Sequence, residues 1–274
     1  MALSPLVASY DQLILDLDGC VWIGGEPTPR APEAIAALRE AGKRIAFVTN
    51  NSRLGGEEYV RELWGIGVQA SAGDVVTVGG AMQHLLAETR GGRTAFVIGT
   101  EAMHRHVADA GLKVLNGTDL ASRCEVVVLG GTDALTFDDL RVAALAVRRG
   151  ADLLATSRDP TFPQPDGPAP GTGAILAAVE TASGRTGAIV GKPEPQLLLT
   201  ALDRMGEART LVVGDRLDAD VAAAARVGLD AALVLTGTDP PSREVIEDPD
   251  TPTPIAVAEN LAAVVLGDGD NRAA

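Results

Sequence analysis

The chain has 274 residues, which at ~100–200 residues per domain means one large domain or two small ones, with enough length to bury a core without disulfide or metal staples. Its 23 Lys and Arg against 37 Asp and Glu give a formal net charge of −14, which excludes nucleic acid and anionic membrane as main partners, because both need a basic face. A composition that is 46% hydrophobic and 3% aromatic builds its core from Ala, Val, Leu and Ile, and two cysteines, Cys20 and Cys124, exclude a disulfide framework and a Cys-rich zinc site.

The dominant rhythm is strand, helix, strand. The apolar run 13–15 ends in Asp16-Leu17-Asp18-Gly19. Ala34, Ile35, Ala37 and Leu38 then recur at helical spacing behind a Pro-rich start, and Gly42 ends that helix. A second strand over 45–48 ends in Thr49-Asn50-Asn51, a helix covers about 57–63, and a third strand lies around 75–78. Strands follow at 95–98, 126–129 and 153–155, separated by helices near 101–110 and 138–149. The stretch 159–168 is too rich in Pro for regular structure and reads as a rigid loop. Beyond it, 188–190 leads into Gly191-Lys192-Pro193, a helix spans 195–205, and the strand 211–213 ends at Gly214-Asp215. A helix over 219–227, a strand over 232–235, a loop over 237–254, a closing helix over 255–265 and a frayed tail from 267 complete the pattern. It is an α/β pattern with parallel sheets covered by helices. No apolar run reaches the ~18 residues of a membrane helix, and no basic stretch precedes the first apolar residues, so a cytoplasmic location with reduced thiols is expected.

Four strand ends carry chemistry. Asp16 and Asp18, two apart at the end of a buried strand, can converge on one site, and two close carboxylates need a cation or a proton to coexist. Gly19 lets the chain turn away. Thr49-Asn50-Asn51 offers a hydroxyl and two amides suited to phosphate oxygens, Lys192 offers one positive charge, and Asp215, Asp218 and Asp220 offer more carboxylates. In an open parallel sheet, ligands sit beyond these carboxyl ends. Cys20 reads as a small packing residue, as do Trp22 and Trp64. His104 and His106, two apart on a helix, point in different directions and read as exposed surface.

Acid pair, hydroxyl, lysine and acid, in that order, resemble the haloacid dehalogenase superfamily, whose members are mostly magnesium-dependent phosphatases. Thr49-Asn50-Asn51-Ser52, Ala155-Thr156-Ser157-Arg158-Asp159, Pro170-Gly171-Thr172-Gly173-Ala174, Gly191-Lys192-Pro193-Glu194-Pro195 and Gly214-Asp215-Arg216-Leu217 are similar to its subfamily of nitrophenylphosphatases and nucleotide, pyridoxal and glycerol-phosphate phosphatases. The resemblance implies a Rossmann-like parallel core, residues 1–79 and 186–274, interrupted by an α/β cap over 80–185 that chooses the substrate. It implies a small phosphorylated metabolite as substrate and Mg²⁺ as cofactor. Asp16 would be the nucleophile that forms an aspartyl-phosphate, and Asp18 the general acid and base. Thr49, Asn50 and Lys192 would hold the phosphoryl oxygens. Asp16, the Asp18 backbone carbonyl and Asp215 would hold the metal, with Asp220 behind them. Arg158 and Asp159 would line the substrate pocket, and a homodimer would form through the cap. A phosphotransferase or mutase using the same intermediate, or a non-catalytic phosphate-binding protein, are the alternatives. A dinucleotide-binding Rossmann protein is disfavoured, because the first strand ends in Asp-Leu-Asp-Gly rather than Gly-x-Gly-x-x-Gly.

Overall fold

A computed structural model describes residues 2–164 and 167–267. The expected frayed tail lies almost wholly outside these residues. Contacts divide the chain into two compact units. One comprises residues up to Thr49, Gly56–Val76 and the chain from Lys192 onward; the other comprises Asn50–Gly55 and Thr77–Gly191.

The first unit is built on a sheet whose strands run in the order Ala256–Ala258, Asp230–Val234, Thr210–Gly214, Gln12–Asp16, Arg44–Thr49, Val75–Thr77. The pairs from Ala256–Ala258 across to Arg44–Thr49 are parallel. Gln12–Asp16 and Thr210–Gly214 are buried along their whole length, as a strand covered on both faces must be. Gln12–Asp16 lies between Thr210–Gly214 and Arg44–Thr49, so three adjacent carboxyl ends carry Asp16, Thr49 and Gly214 with Asp215. The order also reverses at this central strand, the place where open α/β sheets bind ligands.

The second unit has its own parallel sheet in the order Ala188–Ile189, Asp152–Ala155, Val126–Leu129, Thr94–Ile98, Lys113–Val114. Phe96, Val127, Leu129, Ala143, Val147, Leu176 and Val179 build its core, without disulfides and almost without rings. Helix Phe137–Arg148 starts on a capping box in which Thr136 and Asp139 bind each other's backbone N–H. Among the described residues no helix is long and apolar enough to cross a membrane.

Three local expectations are corrected. The Pro-rich stretch is not a loop but an antiparallel ribbon, Thr161–Gln164 against Gly167–Pro170, with Pro163 opposite Pro168. In a ribbon of two strands each strand is an edge, so a proline without N–H need not break a ladder. The closing segment 255–265 is a strand, Ala256–Ala258, followed by helix Leu261–Leu266. Asn260 divides them, its side chain accepting the N–H of Ala263 as an N-cap. The helix expected over 219–227 begins as a π-type turn, Leu217–Val221, before Ala222–Arg226. Helix Val78–Arg90, capped by Thr77, is a further element beyond the expected pattern.

Candidate active site

The carboxyl end of Gln12–Asp16 runs into a tight turn. The carbonyl of Leu17 accepts from the N–H groups of Val21 and Trp22, and the Gly19 N–H donates to the Trp22 carbonyl at 2.7 Å. Gly19 has φ +85°, and a Cβ there would stand 2.3 Å from Oδ2 of Asp215, so both the turn and the neighbouring carboxylate require glycine. The turn brings Trp22 back onto Asp18. Trp22 Nε1 donates to Asp18 Oδ1 at 3.0 Å, while Thr49 Oγ1 donates to Asp18 Oδ2 at 3.3 Å. The Trp22 ring stacks on Tyr59, with centroids 6.2 Å apart. Trp22 is therefore more than a packing residue. Its role had no signal in the sequence, because only the turn folds it onto Asp18.

Lys192 lies between two carboxylates. Its Nζ is 2.6 Å from Asp16 Oδ1 and 2.6 Å from Asp220 Oδ1. The other oxygen of Asp220 accepts the Arg216 N–H at 3.1 Å. Gly214 makes room for that carboxylate, since a Cβ there would stand 2.2 Å from Asp220 Cγ. With both oxygens engaged, Asp220 fixes Lys192 rather than offering a free ligand atom. Asp215 differs. It is buried, and its Oδ1 has no hydrogen-bond partner. Gly237, a second glycine not singled out in the sequence, packs against it: a Cβ there would lie 2.1 Å from Asp215 Oδ2. Thr236 completes this wall, its hydroxyl donating to the Gly19 carbonyl at 2.5 Å.

Carboxylate oxygens of Asp16, Asp215 and Asp220 lie within 4.8 Å of one another, all three residues buried. One ammonium cannot neutralise three carboxylates. Burial, then Asp220, push the Asp16 carboxyl well above its usual range against the opposing pull of Lys192. Burial and Asp220 likewise push Asp215 up to about 7. The carboxylates in turn hold Lys192 protonated, overcoming its own burial. An unpartnered buried carboxylate oxygen beside a second carboxylate, with all-oxygen donors, suits a hard divalent cation such as Mg²⁺.

Asn50, Arg158 and Asp159 lie in the second unit. The Asn50 carboxamide rests against Gly191, where a Cβ would come within 2.5 Å of its Oδ1. The Arg158 guanidinium is taken up by Glu180, at 3.2 and 3.0 Å, and by the Gly187 carbonyl at 3.0 Å. The Asp159 carbonyl accepts the Gly173 N–H at the start of helix Thr172–Ser183. His106 is half-buried, not exposed: it bonds Gln83 at 2.8 Å and packs on Gly79. Cys20 is fully buried against the Val213 carbonyl, and burial pushes its thiol up and out of reactivity.

Comparison with known proteins agrees with this geometry. A family model described as haloacid dehalogenase-like hydrolase matches residues 13–113, and a second, HAD-hydrolase-like, matches residues 189–264. Human chronophin is 35% identical over 250 residues, covering 86% of this chain and 84% of its own. The chain belongs to the haloacid dehalogenase-like hydrolase family. It is 37% identical over 238 residues to the D-glycerol 3-phosphate phosphatase of Mycobacterium tuberculosis, covering 86% of this chain and 66% of that relative's length. A crystal structure of the M. tuberculosis glycerol phosphate phosphatase in complex with magnesium superposes with a TM-score of 0.88 at 35% identity, over 96% of this chain and 79% of the other. The 4-nitrophenylphosphatase of Thermotoga maritima gives 0.84 at 32% identity, over 94% and 97%. Kinship places the chain among the phosphatases of the HAD-like hydrolases.

Proposed function

We propose that the chain hydrolyses a small phosphomonoester with Mg²⁺ through an aspartyl-phosphate on Asp16. The observation that carries this reading is the buried cluster of Asp16, Asp215 and Asp220 around Lys192, with one Asp215 oxygen left without a partner. Asp16, the Asp18 backbone carbonyl and Asp215 would hold the metal, which when bound neutralises phosphoryl oxygens and lowers the repulsion between substrate and carboxylates.

The Asp16 carboxylate attacks phosphorus, forming an O–P bond while the bond to the leaving alcohol breaks. Asp18 gives its proton to that alcohol oxygen, and in the second half takes a proton from the water that attacks the aspartyl-phosphate, releasing phosphate and restoring Asp16. Trp22 holds one oxygen of the Asp18 carboxyl, which keeps it aimed through both halves, while the Thr49 hydroxyl, with its one proton, passes from the other Asp18 oxygen to a phosphoryl oxygen when substrate binds. Lys192, fixed by Asp220, opposes the charge on the transferring phosphoryl group, and Thr49 and Asn50 supply donors to its oxygens. The unit holding the acid pair is the catalytic core and the inserted unit selects the substrate. The relatives named D-glycerol 3-phosphate phosphatase and acid sugar phosphatase support a small phosphorylated polyol. Two buried free thiols fit a reduced cytoplasm. Exposed Leu135 and Phe137 on the inserted unit support a homodimer through it.

The test is phosphate release from p-nitrophenyl phosphate and glycerol 3-phosphate. Turnover should need Mg²⁺, stop with EDTA and disappear in Asp16→Asn. Acid-quenched parent enzyme should carry label from a radioactive phosphoryl donor. An active Asp16→Asn enzyme, or no label in a turning-over parent, overturns the reading.

A further inference from the structure

The net charge of −14 is not evenly spread. At the amino ends of the second unit's parallel strands, the edge opposite the carboxyl ends where ligands of such sheets bind, four arginines face two acids. Arg93 directly precedes Thr94–Ile98, Glu125 precedes Val126–Leu129, and Asp152 opens Asp152–Ala155. These three strands are neighbours in the sheet, so parallel register brings their starts together. Arg123 from the turn Ala121–Arg123, and Arg149 from the end of helix Phe137–Arg148, reach the same place. Together they line an open cavity of about 390 Å³.

Asp152 is ion-paired, whereas Glu125 is held by hydrogen bonds and keeps its charge. Asp152 Oδ2 takes Arg90 Nε at 2.9 Å and Arg93 at 3.4 Å. Glu125 Oε2 accepts the N–H and hydroxyl of Thr94, both at 3.0 Å. Among the described residues the guanidinium groups of Arg123 and Arg149 have no ion pair with an acid. Among the described residues Arg149 donates to Ser122 alone, to its carbonyl at 2.8 Å and its hydroxyl at 2.6 Å, which fixes the group in place. Arg123 has no side-chain hydrogen bond or ion pair among the described residues. Two guanidinium groups without an ion-pair partner, beside a third that is only weakly shared, suit an anion with several acceptor oxygens, such as a phosphate dianion, better than single lysine ammonium groups would.

We propose that this cavity is a second anion site that binds a phosphate dianion, free or carried on a small metabolite. It lies within one unit, uses none of the catalytic residues and stands independently of the hydrolase reading.

The test uses the ¹⁵N-labelled full chain in EDTA, so that no phosphomonoester is turned over, and follows the Arg Nε–Hε resonances by NMR. Inorganic phosphate should move those of Arg93, Arg123 and Arg149 saturably, whereas chloride at matched ionic strength should not. Glycerol 3-phosphate in a second arm separates the two sources: a tighter response assigns the carried group, a weaker one the free ion. Arg123→Gln with Arg149→Gln should weaken the response of Arg93 about tenfold or more. Hydrolysis of p-nitrophenyl phosphate with Mg²⁺ should stay at the parent level, which verifies that the variant is folded. No saturable shift with either anion, an equal shift with chloride, or a response that survives the double substitution overturns the proposal.

Discussion

Trp22 donates its indole N–H to Asp18 Oδ1 at 3.0 Å while its ring stacks on Tyr59 at an interplanar angle of 12°. One side chain thus ties the proposed acid and base to the hydrophobic core of its unit. Trp22→Phe keeps an aromatic ring against Tyr59 and removes only the donor. A neutral donor to a carboxylate is worth roughly 1.5–3 kcal/mol, which corresponds to a roughly 10- to 150-fold fall in kcat with KM within about twofold. Steady-state kinetics on p-nitrophenyl phosphate decide this. An unchanged kcat in a folded variant would show that Thr49 alone orients Asp18.

Lys192 is fixed by two acids, and its removal strands three buried carboxylates. Lys192→Met should destabilise the metal-free protein by about 3–5 kcal/mol, the usual cost of leaving buried charge uncompensated. Adding Asp220→Asn removes one of the stranded charges and should recover part of that loss in urea unfolding, without recovering turnover. A double variant no more stable than Lys192→Met would mean that Asp220 is not the partner that fixes the lysine.

Much of this was legible in the sequence because parallel strands announce themselves as apolar runs, and the residue after each run falls at a sheet edge. Asp16, Thr49, Lys192 and Asp215 stand out in this way, and the sheet order explains why three of these edges meet. What was not legible depended on contacts between distant positions. Gly237 against Asp215, and Trp22 folded onto Asp18, carry no local pattern. The ribbon Thr161–Gln164 with Gly167–Pro170 was hidden by its prolines, which break interior strands but not the edges of a two-stranded ribbon. The strand Ala256–Ala258 merges with the following helix in the sequence pattern, because a three-residue apolar stretch beside a real helix has no period of its own.

A substitution at Gly237 tests the proposed metal site without replacing any of its proposed ligands. A methyl at this position would sit 2.1 Å from Asp215 Oδ2, so the carboxylate must move. Gly237→Ala should raise the Mg²⁺ concentration for half-maximal activity by about tenfold, a shift of ~1.4 kcal/mol in metal binding, with modest loss of kcat at saturating metal. A metal titration of activity reads this directly. Parental Mg²⁺ dependence would show that the carboxylate is not held against this wall.

The metal-free protein should lose stability as pH rises toward neutrality, the reverse of ordinary acid denaturation. Burial and Asp220 raise the Asp215 carboxyl to about 7 in the folded state, against 3.8 ordinarily, and Asp16 is raised in the same direction. The folded state therefore binds more protons than the unfolded chain between about pH 4 and pH 7. The associated stability is fully present below the unfolded value and is lost as pH climbs through the folded one. Thermal melts in EDTA should accordingly show Tm falling from pH 5 to pH 7.5. Saturating Mg²⁺ should flatten or invert that slope, because the cation takes over from the proton as partner of the same carboxylates and binds best when they are ionised. A Tm in EDTA that rises over this window, or a slope that Mg²⁺ leaves untouched, would mean that the crowded acids are relieved by something other than a proton or a metal.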